Sequence, residues 1–584
     1  MIVYNVDMYI DIVPNRNSPP AVLLRQSYRD QGKVKKRTIA NLTGLPDHKI
    51  QAMRQALRAP PPAKGSSRLP HTPLGQSPLR IVRSLPHGHV KAVLGIMQQL
   101  DLPNMIAAKR CPDRDLVVGM IVARILFPSS KLDTVARWRE CSLPNELGIG
   151  EADENDLYAA LDWLLNRQRR IEKKLAKRHL SEGAHVLYDL SSSYYTGSHC
   201  SLAEFGHSRD GKKGFPIIVY GVLTDSQGRP IALEVYAGNR TDPTTVADQA
   251  EKLRKRFGLK RAVLVGDRGS ITNTTIEILQ SYPGLGWIGA LRSDGIRGLI
   301  KKGQVTRSLF DKTNLAEIVS DDYPNERLVV CYNPLLADKR TKKREALLEA
   351  TERRLAKLTA EVARRTKKLL TAAEIGVKAG RIINHYKVAK HFTLSIADGS
   401  FHWQRDEDSI AQERQLDGIY IIRTSEAKKQ LSADDLVRTY KSLAQVEQGF
   451  RCLKSIDLHL RPIHLRTEEH VRAHIFLCLL SYYVDWHLRQ KCKELLYADE
   501  ELEETRWTRD PVLPAQPSSS TKEKKITHHN ADGLPVQTFS SLIASLATLC
   551  RNTCYLAGDQ YETPVQIDTE PTQLQQRVFE LLGV

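Results

Sequence analysis

Cysteine is scarce and carries no pattern. There are nine in 584 residues, none in a C-x-x-C pair, and Cys550 and Cys554 have three residues between them. That excludes a disulfide framework and suits a reducing compartment. Long apolar runs are missing too. The most apolar stretch, Ile475 to Leu480 extended by Tyr482, Tyr483 and Val484, falls well short of the roughly 20 residues a bilayer span needs, and it reads as a buried helix. The opening MIVYNVDMYIDIVP has no basic segment followed by an apolar one, so no signal peptide is expected. These absences together describe a soluble, cytoplasmic protein. Acidic residues are in deficit: 67 Asp and Glu against 86 Lys and Arg, a formal net charge of +19. A chain so basic attracts polyanions, nucleic acid first among them, although a solvated basic surface has the same composition.

Apolar residues make up 41% and charged residues 26%, enough to build cores and to exclude a wholly disordered chain. The length suggests roughly three to five domains. Residues 1–58 read as a small β-rich module, from Val3, Tyr9, Ile10, Ile12 and Val13, with a helix near Lys49 to Leu57. Residues 59–88 hold seven prolines with Gly65, Ser66, Ser67 and Gly75, the chemistry of a linker. Residues 89–183 carry apolar positions three and four apart, as in Leu94, Met97 and Leu100. They predict a helical domain, placed either to grip DNA or simply to pack.

From residue 184 the period changes. Strands are expected over His185–Leu190, Phe215–Thr224, Ile231–Ala237, Ala262–Gly266 and Gly286–Arg292, with helices over Val246–Phe257 and Ile271–Leu279. The turn Asp225-Ser-Gln-Gly-Arg-Pro closes a hairpin. This order predicts a mixed α/β sheet over 184–296, resumed over 416–490, with 297–415 as an insertion. Within that insertion Leu348, Leu355, Val362 and Leu369 recur every seven residues, as in a helical hairpin or short coiled coil. Asp338 to Arg381 holds 14 Lys/Arg and six Asp/Glu, a local net of 14 − 6 = +8. The stretch is either a solvated helix face or an arm that contacts phosphates. Of the C-terminal region, 491–584, residues 504–535 look mobile: they hold four prolines, a Ser run at 518–520 and a Lys-rich stretch over Lys522–Lys525.

Three carboxylates stand out by position. Asp189 falls at the end of the strand His185–Leu190, and Asp267 at the end of Ala262–Gly266. A helix cap or turn would place an Asp there as well; two of them on separate strands of one sheet favour a shared site. Glu447 lies in a strongly helical stretch, Tyr440 to Lys454. At about 100° per residue, Tyr440, Glu447, Arg451 and Lys454 fall within roughly 60° of each other. Leu443, Val446, Phe450 and Leu453 form the neighbouring apolar stripe. Three such carboxylates make a hard-oxygen site suited to Mg²⁺ or Mn²⁺, with the neighbouring cations placed to hold phosphates. A metal-free carboxylate pair, as in glycoside hydrolysis, would explain neither the cations nor the net charge.

At these residues the sequence resembles DDE-type bacterial insertion-sequence transposases with a ribonuclease-H-like core. The resemblance is to the branch with a large insert between the second Asp and the Glu. The matching stretches are Tyr188-Asp-Leu-Ser-Ser, Val265-Gly-Asp-Arg-Gly, the block from Tyr440 through Glu447 to Lys454, Leu458-His-Leu-Arg-Pro-Ile463 and the Val471-Arg-Ala-His-Ile-Phe-Leu-Cys helix. The Tyr-x2-Arg-x3-Glu-x6-Lys signature is matched except at its Arg, where Leu443 stands; Arg451, one turn past the Glu, is the candidate substitute. The resemblance implies that Asp189, Asp267 and Glu447 coordinate two Mg²⁺ ions, for which Mn²⁺ can stand in. It further implies that water frees a 3′-OH at the element end and that this hydroxyl attacks target DNA. Tyr440, Arg451, Lys454, Arg268 and Arg461 become candidate DNA contacts. The enzyme would act as a homodimer on double-stranded DNA, in the bacterial cytoplasm at the nucleoid. Two other readings stay open: a ribonuclease-H-like nuclease that cuts without joining, and a domesticated DNA-binding protein without catalysis.

Overall fold

The computed structural model describes residues 7–15, 20–30, 33–58, 79–241, 243–556 and 563–584. The chain divides into two compact units, Met1–Arg80 with Leu556–Tyr561, and Ile81–Tyr555 with Glu562–Val584. In the first, strands Asp7–Val13, Ala21–Asp30 and Lys33–Asn41 form an antiparallel sheet followed by the helix Asp47–Arg58. This is the β-rich module with its helix expected from the sequence. Of the Pro-rich tract, 59–78 lies outside the described residues.

The second unit is built on one eight-stranded sheet. Its strands are β1 (Ala184–Tyr194), β2 (Ile217–Thr224), β3 (Pro230–Ala237), β4 (Ala262–Val265), β5 (Leu285–Ala290), β6 (Leu315–Ile318), β7 (Arg327–Tyr332) and β8 (Ile419–Thr424). The spatial order is β6-β7-β8-β5-β4-β1-β2-β3. β1, β4 and β5 run parallel, β2 is antiparallel to β1, and β3 is antiparallel to β2 and so points the same way as β1. The order β3-β2-β1-β4-β5 with these directions is a ribonuclease-H-like core. The central strands are apolar on both faces, as strands covered on both sides must be; every residue of β2, β4 and β5 is buried. The β2–β3 hairpin forms where the sequence placed it. Asp225 Oδ1 accepts from the backbone N–H of Gln227 at 3.0 Å and of Arg229 at 2.9 Å, and Gly228 takes the positive φ (78°) that the turn requires.

Three helices of the preceding domain matter for the site: α1 (Pro112–Leu126), α2 (Lys131–Trp138) and α3 (Glu154–Leu165). After β8 come α4 (Ala433–Lys441), α5 (Leu443–Arg451), a π-helical turn Cys452–Ile456, and α6 (Glu468–Lys491). α6 is buried from Ile475 through Asp485 without a break. It packs on α1 and α3 on one side and on β3 on the other. The helical domain and the sheet therefore share one hydrophobic core, which is why α6 is apolar all round.

Four expectations change. Leu79–Pro86, inside the tract read as linker, is a strand. It joins Cys550–Leu556 and Val565–Asp568 in a three-stranded sheet, a partner more than 450 residues away with no local signal. The insertion 297–415 is not wholly outside the core, because β6 and β7 extend the sheet through β8. The remainder has its own small core. The long helix Pro334–Arg364 packs on Ala372–His385 and on the hairpin Phe392–Ala397/Ser400–Arg405. Leu348, Leu355 and Val362 are buried there, while Leu369 is exposed. Residues 504–535 are folded, with a helix at Ser519–Thr527 whose Lys524 is buried and paired with Glu500. Finally, β1 continues to Tyr194, so Asp189 sits in mid-strand and not at a strand end. Ser191, Ser192 and Ser193 look like a strand terminus in sequence, yet all three are buried and paired with β2. Ser193 Oγ meets Tyr220 Oη at 2.9 Å, and Ser192 Oγ accepts from Arg209 N at 3.0 Å.

Candidate active site

Asp189 stands opposite Val222 on β1, with its Oδ1 accepting from the Leu190 N–H at 2.8 Å. Asp267 follows β4 by two residues, and its Oδ1 caps a turn by accepting from Gly269 N at 3.0 Å and Ser270 N at 2.8 Å. The turn role and a ligand role are compatible here, because Oδ2 takes no hydrogen bond among the described residues. Glu447 projects from α5, which lies across β1. Its side chain is exposed and has no hydrogen-bond or ion-pair partner among the described residues.

The charges of Asp267 and Glu447 both reach Asp189. Burial first, then the neighbouring Asp267 charge and more weakly Glu447, push the Asp189 carboxyl up to about 7, against the opposing Leu190 N–H. Tyr440, at the end of α4, is pushed up to about 12. Burial is the first cause and Asp267 the second; Arg268 opposes them, and Glu447 and Asp189 add to the rise. Tyr440 and Arg268 therefore sit in the same electrostatic neighbourhood as the trio. None of the three carboxylates is ion-paired among the described residues, and a bound cation would relieve the repulsion that Asp267 and Glu447 exert on the buried Asp189. Their oxygen-only chemistry fits Mg²⁺ or Mn²⁺. Among the described residues no group of three acidic, His or Cys side chains is close enough together to hold a metal ion.

The apolar stripe is as expected: Leu443, Val446, Phe450 and Leu453 are all buried, and Phe450 meets Tyr220 of β2 edge-on at 5.9 Å. The continuous polar stripe is not. The helix breaks at Ser442, between α4 and α5, and widens into the π turn after Arg451. Arg506 holds the break, its Nη2 donating to Ser442 Oγ at 2.9 Å and to Arg438 O at 3.2 Å. Tyr440 thus belongs to a different helix from Glu447. Arg451 stays exposed at the end of α5. Lys454 does not; it is 8% exposed.

The partner of Lys454 is a residue that sequence reading did not single out. The Asp210 carboxylate is fully buried, and it pairs with Lys454 Nζ at 2.8 Å and Arg461 Nη1 at 2.9 Å. Its Oδ2 also accepts from Tyr194 N at 3.1 Å. Asp210 thereby ties the loop between β1 and β2 to the π turn and to the end of β1. The neighbouring Arg209 lowers the proton affinity of Asp189. The signal was the tract His207-Ser-Arg-Asp-Gly-Lys-Lys213 between two apolar strands, too polar for an ordinary hairpin link.

The family model described as Transposase DDE domain matches residues 184–484, and that described as IS1634 family transposase, N-terminal domain, matches residues 10–65. Among solved structures, one match is a cryo-EM structure of a piggyBac transposase synaptic complex with hairpin DNA. It shows 10% identity and a TM-score of 0.32, and the match covers 76% of this chain and 88% of that one. No curated protein matches. The first match takes in Asp189, Asp267 and Glu447 and more than half of the chain, which therefore belongs to the Transposase DDE domain family.

Proposed function

We propose that the protein binds the ends of its own insertion sequence, cleaves the DNA there and joins the freed 3′-OH to target DNA. The observation that carries this reading is that Asp267, after β4, and Glu447, on α5, both raise the proton affinity of the buried Asp189 on β1. Asp189, Asp267 and Glu447 would hold two Mg²⁺ ions, with Mn²⁺ as a substitute. Bound there, the metal supplies charge neutralisation and polarisation of phosphoryl oxygens. The chain's own residues do the rest. Burial of Tyr440 keeps its phenol protonated and able to donate a hydrogen bond to a phosphate oxygen. Arg268 and Arg451, both exposed, offer bidentate contacts to the backbone. Lys454 and Arg461 reach DNA with the donors that Asp210 leaves free. The working form on paired ends is a homodimer, acting at the nucleoid of the bacterial cytoplasm.

The test is a strand-transfer assay. Duplexes carrying the imperfect inverted repeats that flank the gene are incubated with protein, Mg²⁺ and a supercoiled target. Joined products support the reading. Cutting without joining would leave a ribonuclease-H-like nuclease. Binding without cutting, in Mg²⁺ and in Mn²⁺, would leave a DNA-binding protein.

A further inference from the structure

A cavity of about 220 Å³ lies where the helical domain meets the loop that follows the π turn. Its walls include Arg124 from α1, Lys131 from α2, His474 from α6, and His459, Arg461 and His464 from the loop. Among the described residues no carboxylate lines it. Arg124, Lys131 and His474 are 6%, 5% and 9% exposed. Lys131 makes no side-chain hydrogen bond or ion pair among the described residues, and His474 Nδ1 is buried without a partner. Arg124 spends one Nη2 donor on Ser129 O at 2.9 Å. Among the described residues Arg461 is the one cation of the cavity paired with an acid, Asp210, outside the wall.

A buried ammonium without an acid is unfavourable, and a core of this kind would accept Leu or Met at that position more readily. The charges oppose one another as well. Burial first, and then Arg124, lower the proton affinity of Lys131; His474 is depressed by burial and then by Lys131 and Arg124. An anion would relieve all three. The N-terminus of α2, capped by Ser130 through Asp133 N at 3.2 Å, opens at the same wall.

We propose that this cavity is a phosphate-binding site, with Lys131, Arg124 and His474 as its donors. The inference rests on the reading of the protein as a DNA-processing enzyme only for the source of the phosphate. The loop that forms the wall is bonded to the catalytic strand. Ile463 bridges Tyr195, Thr196 N donates to Ile463 O at 2.8 Å, and Tyr195 Oη donates to Leu465 O at 3.0 Å. Tyr195 lies six residues beyond Asp189, roughly 20 Å along a strand. That is less than the roughly 34 Å of one duplex turn, so a DNA end held at the carboxylates brings its own phosphates near the cavity. Inorganic phosphate is the other source.

The experiment uses the full chain and Lys131→Met, with Lys131→Arg as the conservative variant. Thermal unfolding is followed against inorganic phosphate, with chloride at equal ionic strength as control. Phosphate should raise the wild-type melting temperature saturably, do so in Lys131→Arg, and leave Lys131→Met unmoved. Lys131→Met should also melt higher than wild type without phosphate, the opposite of what loss of a structural lysine does. A DNA arm measures binding of the element-end duplex. A loss of about tenfold in Lys131→Met assigns the phosphate to DNA, and unchanged DNA binding alongside an abolished phosphate response assigns it to the free ion. If phosphate and DNA act on wild type and Lys131→Met alike, the cavity is not an anion site. The phosphate arm needs no catalysis, so its outcome is separate from that of the strand-transfer assay.

Discussion

Lys454 Nζ lies 2.8 Å from the buried carboxylate of Asp210, so the lysine that ends the helical signature is part of the core. Two cations and one backbone N–H converge on Asp210. Removing one member of a buried charge cluster leaves the others uncompensated, at a typical cost of about 3–5 kcal/mol.

Asp210→Asn should therefore destabilise the protein by that order, read as a shift of the denaturant midpoint. Lys454→Ala should destabilise less, since Arg461 still neutralises Asp210. It should also weaken binding of the element end and slow cleavage, with the residual cleavage still dependent on Mg²⁺. The double variant Asp210→Asn/Lys454→Met separates packing from phosphate binding. If it folds and binds the element end like wild type, Lys454 serves the core alone.

Asp189→Asn, Asp267→Asn and Glu447→Gln should each bring cleavage to background while leaving end binding within a few-fold of wild type. The measurement is cleavage of a labelled end duplex beside a mobility-shift titration. Near-wild-type cleavage by any one of them removes that residue from the site.

Much of this site was legible in the sequence because its strands are locally encoded. The apolar runs of β2, β4 and β5, the turn at Asp225–Pro230 and the stripe Leu443, Val446, Phe450, Leu453 each carry their own period. What was not legible depends on partners far along the chain. Arg506 fixes the break at Ser442, Cys550–Leu556 turns a supposed linker into a strand, and Asp210 draws Lys454 inward. The buried serines of β1 misled for a related reason: small hydroxyls read as a turn unless their hydrogen-bond partners are known.

The basic arm gives a prediction about salt. Lys342, Lys343, Arg364 and Arg365 are all exposed on the long helix and its end. Among the described residues Lys342 and Arg365 make only exposed or half-exposed i,i+4 ion pairs, with Asp338 and Glu361, which hold them weakly. Asp338 to Arg381 has no aromatic residue to stack on bases. Neutralising the four together should weaken binding of every DNA sequence alike. It should also flatten the salt dependence, by about 0.9 log unit for each phosphate that is no longer neutralised. An unchanged slope would make this surface a solvated helix face.

Lys131 gives a prediction about pH. Burial holds its ammonium down to about 7 in the folded protein, against about 10.4 for a free lysine. Below pH 7 both states carry the proton, and the folded state bears the full penalty of a buried charge. Between pH 7 and 10 the unfolded chain binds the extra proton, so stability rises with pH across that window. Charged and titratable groups face Lys131 from every side: Arg124 on α1, His474 and Cys478 on α6, Tyr158 on α3, and His459, Arg461 and His464 on the loop. The comparison must therefore be made against Lys131→Met and not against wild type alone. The stability gap between the two should be widest at pH 6.5 and should narrow steadily toward pH 9.5, and saturating phosphate should close much of it at pH 6.5. Parallel stability curves for wild type and Lys131→Met from pH 6.5 to 9.5 would show that Lys131 keeps its proton through folding, and that another group already balances it.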